Sequence, residues 1–490
     1  MTERPLWTVD DMVAAMNASR AGSLPGFVSG ISIDTRTVAA GEAFFAIKGD
    51  NRDGHDFVEG AHKAGAGLAV VAADKRVRFA AGAPLLVVPD VLEALRALAR
   101  AARRRSEAAI IAVTGSVGKT GTKEALRLAL GAQGETHASA ASYNNHWGVP
   151  LSLARCPASA RFAIFELGMN HAGEIEPLSR LVRPQVAIIT AVEPVHLEFF
   201  DSLEAIADAK AEIFSGLEAV GIAVINRDSG QFDRLEKNAR SAGVERIVSF
   251  GEHAAADVRL VACRLYSEGS DVEARIFGHE LGYRLGAPGR HVVLNSLAVL
   301  AAVASVGGDA TLAARALAGL RPAPGRGARV KLDLPGGKIL LLDESYNANP
   351  ASMRAALALL GQAAPAEMQG SSRSRRMAVL GDMLELGPSG RELHRGLADA
   401  VIANGVDLVF CCGPLMRDLW EALPASRRGR YAQSSAELQT HVLAAVRPGD
   451  IVMVKGSLGS RMGLIVKTLE DQVRREPLAH GALRAPIMNG

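Results

Sequence analysis

From residue 107 onward the sequence alternates short, two-sidedly apolar runs with longer segments of helical period. The runs include Ala109–Val113, Phe162–Phe165, Val186–Ile189 and Ile222–Ile225, then Ile339–Leu342, Met377–Leu380, Leu408–Cys411 and Ile451–Val454. A strand that is apolar on both faces needs cover on both faces, and the intervening helices supply it. The expected fold class is therefore α/β, built on mostly parallel sheets. At 490 residues the chain is too long for one core. A charged stretch at Arg103–Glu107 and the Pro/Gly cluster Arg321-Pro322-Ala323-Pro324-Gly325-Arg326-Gly327 mark two breaks. They divide the chain into residues 1–107, 108–327 and 328–490.

Composition excludes several classes of function. A net charge of +3 over this length, with aromatics at 4%, does not suit a chain that binds nucleic acid by neutralising phosphates. The basic clusters Arg103–Arg105 and Arg373–Arg376 read as a solvated linker and loop, the second within a flexible surface segment over 361–376. Cys156, Cys263, Cys411 and Cys412 have no zinc-like spacing and read as reduced cysteines. No secretory leader is evident at the N-terminus, and the apolar segment Val292–Val306 is too short to span a bilayer. A cytoplasmic chain without a transmembrane segment, acting as a monomer, is expected.

The run Ile110–Val113 leads into Thr114-Gly115-Ser116-Val117-Gly118-Lys119-Thr120, and then into a helix with Leu126 and Leu130 on one face. A glycine-rich turn between strand and helix aims several N–H groups at one point, and the helix N-terminus adds partial positive charge. Lys119 brings a mobile cation to the β/γ-phosphates of ATP, and the Thr120 hydroxyl is a ligand for Mg²⁺. Only two residues separate Gly115 from Gly118, fewer than in the general phosphate loop. Glu166 and His196 follow the runs ending at Phe165 and Ile189, so both lie at the strand edge where α/β sheets collect ligands. On the residues alone, each is either a metal ligand or a surface hydrogen-bonding group.

Together with that turn, Asn144-Asn145, Glu166-Leu167-Gly168-Met169-Asn170-His171, His196-Leu197-Glu198 and Ala209-Lys210-Ala211-Glu212 resemble the Mur ligase family over nearly the whole chain. Ser142–Pro150, Asp343–Pro350 and Gly381–Gly387 are similar to the branch that joins D-alanyl-D-alanine to UDP-N-acetylmuramoyl-tripeptide. The branch that adds a single amino acid usually carries a Tyr-Ala-His-Thr-Pro type motif and an Asp-Asn-Pro-Arg loop, and neither is found.

The resemblance implies three domains: an N-terminal one for the UDP end, a central ATP-binding one, and a Rossmann-like C-terminal one for the dipeptide. It places Thr35, Arg36, Lys48, His55, Asn144 and Asn145 at the nucleotide-linked substrate. Thr114 to Thr120, Asn295, Arg326, Asp343 and Asn347 fall at ATP. Two Mg²⁺ ions are implied, held by Thr120, Glu166, His196 and a carbamylated Lys210; Lys119, His196, Lys210 and Arg326 are the catalytic set. Without the resemblance, Lys210 reads as a helix-face lysine paired with Glu212 or Asp208. Relatives commonly place Arg directly after Lys-Gly-Ser, whereas Leu458 follows Lys455-Gly456-Ser457 and Arg461 comes later. The residue that holds the dipeptide carboxylate is left open. A ligase for a single amino acid and a nucleotide-binding module without ligase chemistry are the two rival readings.

Overall fold

Three parallel-dominated sheets, each wrapped by helices, account for most of the chain in a computed structural model, which describes residues 5–49, 51–140, 142–194, 197–363 and 374–475. The first sheet has five strands in the order Ser19–Ala21, Leu85–Val88, Leu68–Ala72, Ala43–Phe45 and Ile31–Ser32, antiparallel only at its first pair. The chain is α/β throughout, as its apolar runs predict.

The nine-stranded central sheet sets up the site. The strand Ala109–Thr114 lies between Phe162–Glu166 and Val186–Ile189, and all three run parallel. The helix Lys119–Gly131 carries the chain from Ala109–Thr114 to the edge strand Thr136–Ala138, whereas Val186–Ile189 lies on the opposite side. Strand order therefore reverses at Ala109–Thr114, which opens a crevice at the carboxyl ends of the strands.

Beyond Arg246–Gly251 the sheet continues into Val258–Tyr266, Gly269–Ile276 and His279–Leu285, an antiparallel arm. The sequence reading passed over this arm because charged residues alternate with apolar ones along it. Val272, Ala274 and Ile276 turn inward and share a core with Val293 and Leu297 of the helix Arg290–Ser305. The third sheet runs Ala328–Leu334, Gly337–Glu344, Ile451–Lys455, Arg376–Gly381, Leu408–Cys412 and Arg428–Ala432, parallel after the first hairpin.

The first two sheets are not separated by a solvated linker. Residues from Trp7 to Ala102 and from Ala108 to Val244 belong to one continuous apolar core. Trp7 Nε1 donates to Ala154 O at 2.8 Å, and the Arg105 guanidinium lies 3.3 Å over the Trp7 ring. Arg103, read from local charge as solvated, is buried at the end of the helix Val91–Arg105. Its Nε donates to Val182 O at 2.8 Å, and its Nη2 donates to Arg183 O at 2.9 Å and to Glu218 at 3.0 Å. The other basic cluster is also partly internal: Arg375 donates to both carboxylate oxygens of buried Asp450, at 2.9 and 2.7 Å. Arg373 lies outside the described residues. The third sheet has its own cores and meets the rest through the 322–327 segment and a cleft.

Candidate active site

The turn after Ala109–Thr114 follows from the residues that form it. Gly118 sits at φ +84° immediately before the helix Lys119–Gly131, and a Cβ there would come 2.5 Å from Asn295 Nδ2. A Cβ on Gly115 would come 2.0 Å from Thr190 Oγ1, so this turn accepts only glycine at both places. Thr190 Oγ1 donates to Val117 O at 2.6 Å, while Ser116 N donates to Ala191 O at 2.8 Å. The neighbouring strand end thus holds the loop in shape.

The helix Lys119–Gly131 has no side-chain cap, so its first N–H groups open towards the cleft. The helix Pro350–Gln362, whose first turn also lines the cleft, is capped by Asn349 and Ser352. Of these two helix starts, the first is the one left for an anion.

Lys119 Nζ donates to Gly115 O at 2.6 Å, folded back over the loop. Desolvation holds its ammonium below the usual lysine range, opposed by Glu166 and assisted by Arg326. Thr120 Oγ1 donates to Glu166 Oε2 at 2.9 Å, and Asn144 Nδ2 donates to Glu166 Oε1 at 2.8 Å. The Glu166 carboxylate, 1% exposed, is thus fixed at both oxygens.

A cleft of about 830 Å³ runs between the central and third sheets. It is lined by Ser116 to Thr120, Asn144, Asn145, Glu166, Asn295, Arg326 and Asn347, which brings together most of the residues expected at nucleotide and metal. Arg326 touches both walls: Nη2 donates to Ser142 Oγ at 3.1 Å, and the guanidinium lies 4.0 Å over the Tyr346 ring. At the far end, Glu198 N donates to Glu385 O at 3.3 Å.

Asp343 stands behind the wall. It accepts from Gly325 N at 2.8 Å and from Ser345 Oγ at 2.6 Å, which braces the loop that carries Arg326. Thr114 is fully buried behind the turn, where its carbonyl accepts from Thr190 N at 3.0 Å.

Lys210 is buried, and desolvation, with Lys119 adding to it, pushes its ammonium well below the usual lysine range. The plain reading of Lys210 as half of a surface ion pair does not hold. Asp208 is taken by Arg234 and Asn238, and Glu212 accepts from the N–H groups of Gly173, Ile175 and Glu176. His196 lies outside the described residues, and among those described no three His, Cys, Asp or Glu side chains form a metal-holding group.

Of the six residues expected at the nucleotide-linked substrate, the four from the N-terminal segment lie outside this cleft. Thr35 is half-buried in a turn, Lys48 is exposed, and exposed Arg36 is held by Asp34 through Nε at 2.9 Å and Nη2 at 2.6 Å. His55 is buried with both ring nitrogens in use: Ala72 N donates to Nε2 at 2.9 Å, and Nδ1 donates to Asp53 at 2.6 Å. Its ring supports the fold of the first sheet and has no donor or acceptor left for a ligand.

Sequence reasoning missed the pair formed by buried Lys455 and half-buried Glu344, at 3.5 Å, where Lys455 Nζ also donates to Asn347 O at 3.0 Å. Burial lowers the Lys455 ammonium, Glu344 opposes that, and Arg326 adds to it. The register of two parallel strands sets Glu344 beside Lys455. The available signal was a charge closing each of two apolar runs.

Family comparisons agree with this geometry. The Mur ligase family, catalytic domain, matches residues 27–103; the Mur ligase middle domain matches 113–303; and the Mur ligase, glutamate ligase domain, matches 326–458. The UDP-N-acetylmuramoyl-tripeptide–D-alanyl-D-alanine ligase of Rickettsia prowazekii (strain Madrid E) is 32% identical over 89% of this chain and 94% of that protein. That of Escherichia coli (strain K12) is 34% identical over 90% and 93%. A crystal structure of MurF from Acinetobacter baumannii superposes with a TM-score of 0.80 at 28% identity, covering 96% of this chain and all of that one. MurF from Thermotoga maritima, solved in complex with ADP, gives 0.72 at 25% identity over 91% and 98%. With its three sheets and its cleft between the second and third, the chain belongs to the Mur ligase family.

Proposed function

We propose that this chain is the ADP-forming ligase that joins D-alanyl-D-alanine to UDP-N-acetylmuramoyl-tripeptide in peptidoglycan synthesis. The observation that carries the reading is an uncapped helix start at Gly118-Lys119-Thr120, set beside Glu166 and facing Arg326 across one cleft. The names of the relatives supply the substrates.

A carboxylate resists attack by an amine, and phosphorylation gives it a leaving group. The tripeptide carboxylate oxygen bonds to the γ-phosphorus of ATP, and the bond to ADP breaks. The free amine of the dipeptide then bonds to the acyl carbon, phosphate departs, and the amine loses a proton to solvent. The helix start holds the phosphates, Lys119 swings from Gly115 O onto them, and Arg326 meets the charge that builds on the transferring group. No covalent link to the protein is required; the protein positions and neutralises.

Thr120 and Glu166 offer hard oxygen donors of the kind Mg²⁺ takes alongside phosphate, so this pair fits one ion. When bound, Mg²⁺ neutralises phosphate charge. Lys210, with a depressed ammonium pKa, is the kind of amine that captures CO₂: the nitrogen bonds to carbon, a proton leaves, and a carboxylate results. That group and His196 would hold the second Mg²⁺.

The first sheet would hold the UDP end, with domain boundaries near residues 107 and 327. Among the described residues, no helix is long and apolar enough to cross a membrane. The reading places the enzyme in the cytoplasm, acting as a monomer, which light scattering tests. ADP release with UDP-muramoyl-tripeptide, assayed with the dipeptide and with single amino acids, tests the function. Release that depends on a single amino acid and ignores the dipeptide would overturn it.

A further inference from the structure

One buried cation has no part in the chemistry above. Lys123 lies on the helix Lys119–Gly131, one turn beyond Thr120 and on the same face, and it is fully buried. Its Nζ donates to Ser139 O at 2.7 Å and pairs with Glu124 at 3.2 Å. An ammonium taken out of water is costly unless it is paired, so its presence here demands an account.

Ser139 is the point where the chain leaves the central sheet. Its N–H still donates to Ile164 O at 3.1 Å, one residue past the strand Thr136–Ala138. The next fixed point is Asn144, whose carbonyl accepts from Gly168 N at 2.8 Å and whose side chain donates to Glu166. Between these anchors lies Ser142, the hydroxyl that accepts from Arg326 at 3.1 Å. The direction of the Ser139 carbonyl fixes the peptide plane from which this short span departs.

We infer that Lys123 is a positioning residue. It clamps Ser139 O to the phosphate-facing helix, so that Ser142 stands where it orients Arg326 over the phosphate site. Thr120 and Lys123 then hold the two ends of one span from a single helix face: Thr120 through Glu166 to Asn144, and Lys123 directly to Ser139. The inference rests on the role proposed for Arg326.

The test is ADP release by Lys123→Met, Lys123→Arg, Ser142→Ala, Arg326→Ala and the Lys123→Met/Ser142→Ala pair, with thermal melts of each. The expected result is a fall in kcat of about ten- to a hundredfold for Lys123→Met at nearly unchanged KM for ATP, since a misplaced group costs rate more than binding. Lys123→Arg should recover part of it. The double variant should lose little beyond the worse single one, because both act through one contact. Should Lys123→Met not fold, Lys123→Gln, neutral but still a donor, carries the same comparison. Parental kcat in the Met or Gln variant, to within about twofold, or losses that multiply in the pair, would overturn the inference. Full activity in Arg326→Ala would sink the role of Arg326 itself, whereas an inactive Arg326→Ala beside a fully active Lys123→Met sinks only the clamp.

Discussion

The Thr120 hydroxyl donates to Glu166 across 2.9 Å, joining the first turn of the helix Lys119–Gly131 to the end of the neighbouring strand. On the proposed function, both groups offer oxygen to one Mg²⁺. Thr120→Val should therefore raise the Mg²⁺ concentration needed for half-maximal turnover by about ten- to a hundredfold while leaving the melting temperature nearly unchanged. Titration of Mg²⁺ against ADP release checks this, and an unchanged requirement would remove Thr120 from the metal site.

Lys119 Nζ donates to Gly115 O, which keeps its ammonium over the loop. Lys119→Ala should cost a factor of about 10²–10³ or more in kcat with the fold intact by circular dichroism. Near-parental turnover would refute the phosphate-loop assignment.

Lys210 allows a test with a defined sign. Its folded-state ammonium titrates below the unfolded value, so the unfolded chain binds more protons between the two values, and stability rises with pH through that window. The burial penalty is absent above the unfolded lysine pKa of about 10.4 and grows as pH falls from there towards the folded value. In CO₂-free buffer, Lys210→Met should accordingly melt higher than the parent near neutrality, with the gap narrowing as pH rises. The same variant should be nearly inactive, and Lys210→Ala should regain some rate with added short carboxylates. A parent that melts higher than Lys210→Met at neutral pH would mean the lysine is paired after all.

Arg103 makes one buried and two half-buried hydrogen bonds to residues that precede strands of the central sheet. Arg103→Ala takes this donor from the Val182 and Arg183 carbonyls, while Glu218 keeps the Arg183 guanidinium at 2.9 Å. The substitution should lower stability by about 1–3 kcal/mol in urea unfolding, with kcat unaffected. No loss of stability would return Arg103 to the solvated role that local charge suggests.

The contrast between these residues shows what a sequence carries. The strands around Ala109–Thr114 were legible because burial on both faces demands an uninterrupted apolar run. Glu166, Thr120 and the glycine turn were legible because parallel strands deliver their ends to one edge. Arg103 was misread because charge density is local, whereas its partners lie 79 to 115 residues away. His55 looked available for substrate because nothing in its neighbourhood announces the Ala72 N–H that occupies its ring. Ser142 meeting Arg326 across 184 residues, and Lys123 meeting the Ser139 carbonyl, leave no periodic trace. The antiparallel arm at Val258–Leu285 was present as alternation, hidden by its charges.

The unbroken apolar core from Trp7 to Val244 has a practical consequence for anyone cutting the gene. A fragment ending near residue 107 would expose the faces of Leu95, Leu98 and Ala102, and its complement would lose the indole that donates to Ala154 O. Neither piece should remain dispersed when expressed alone. A cut at the Pro322–Gly327 segment divides no such interior, so the third sheet should separate from the rest more cleanly than the first does.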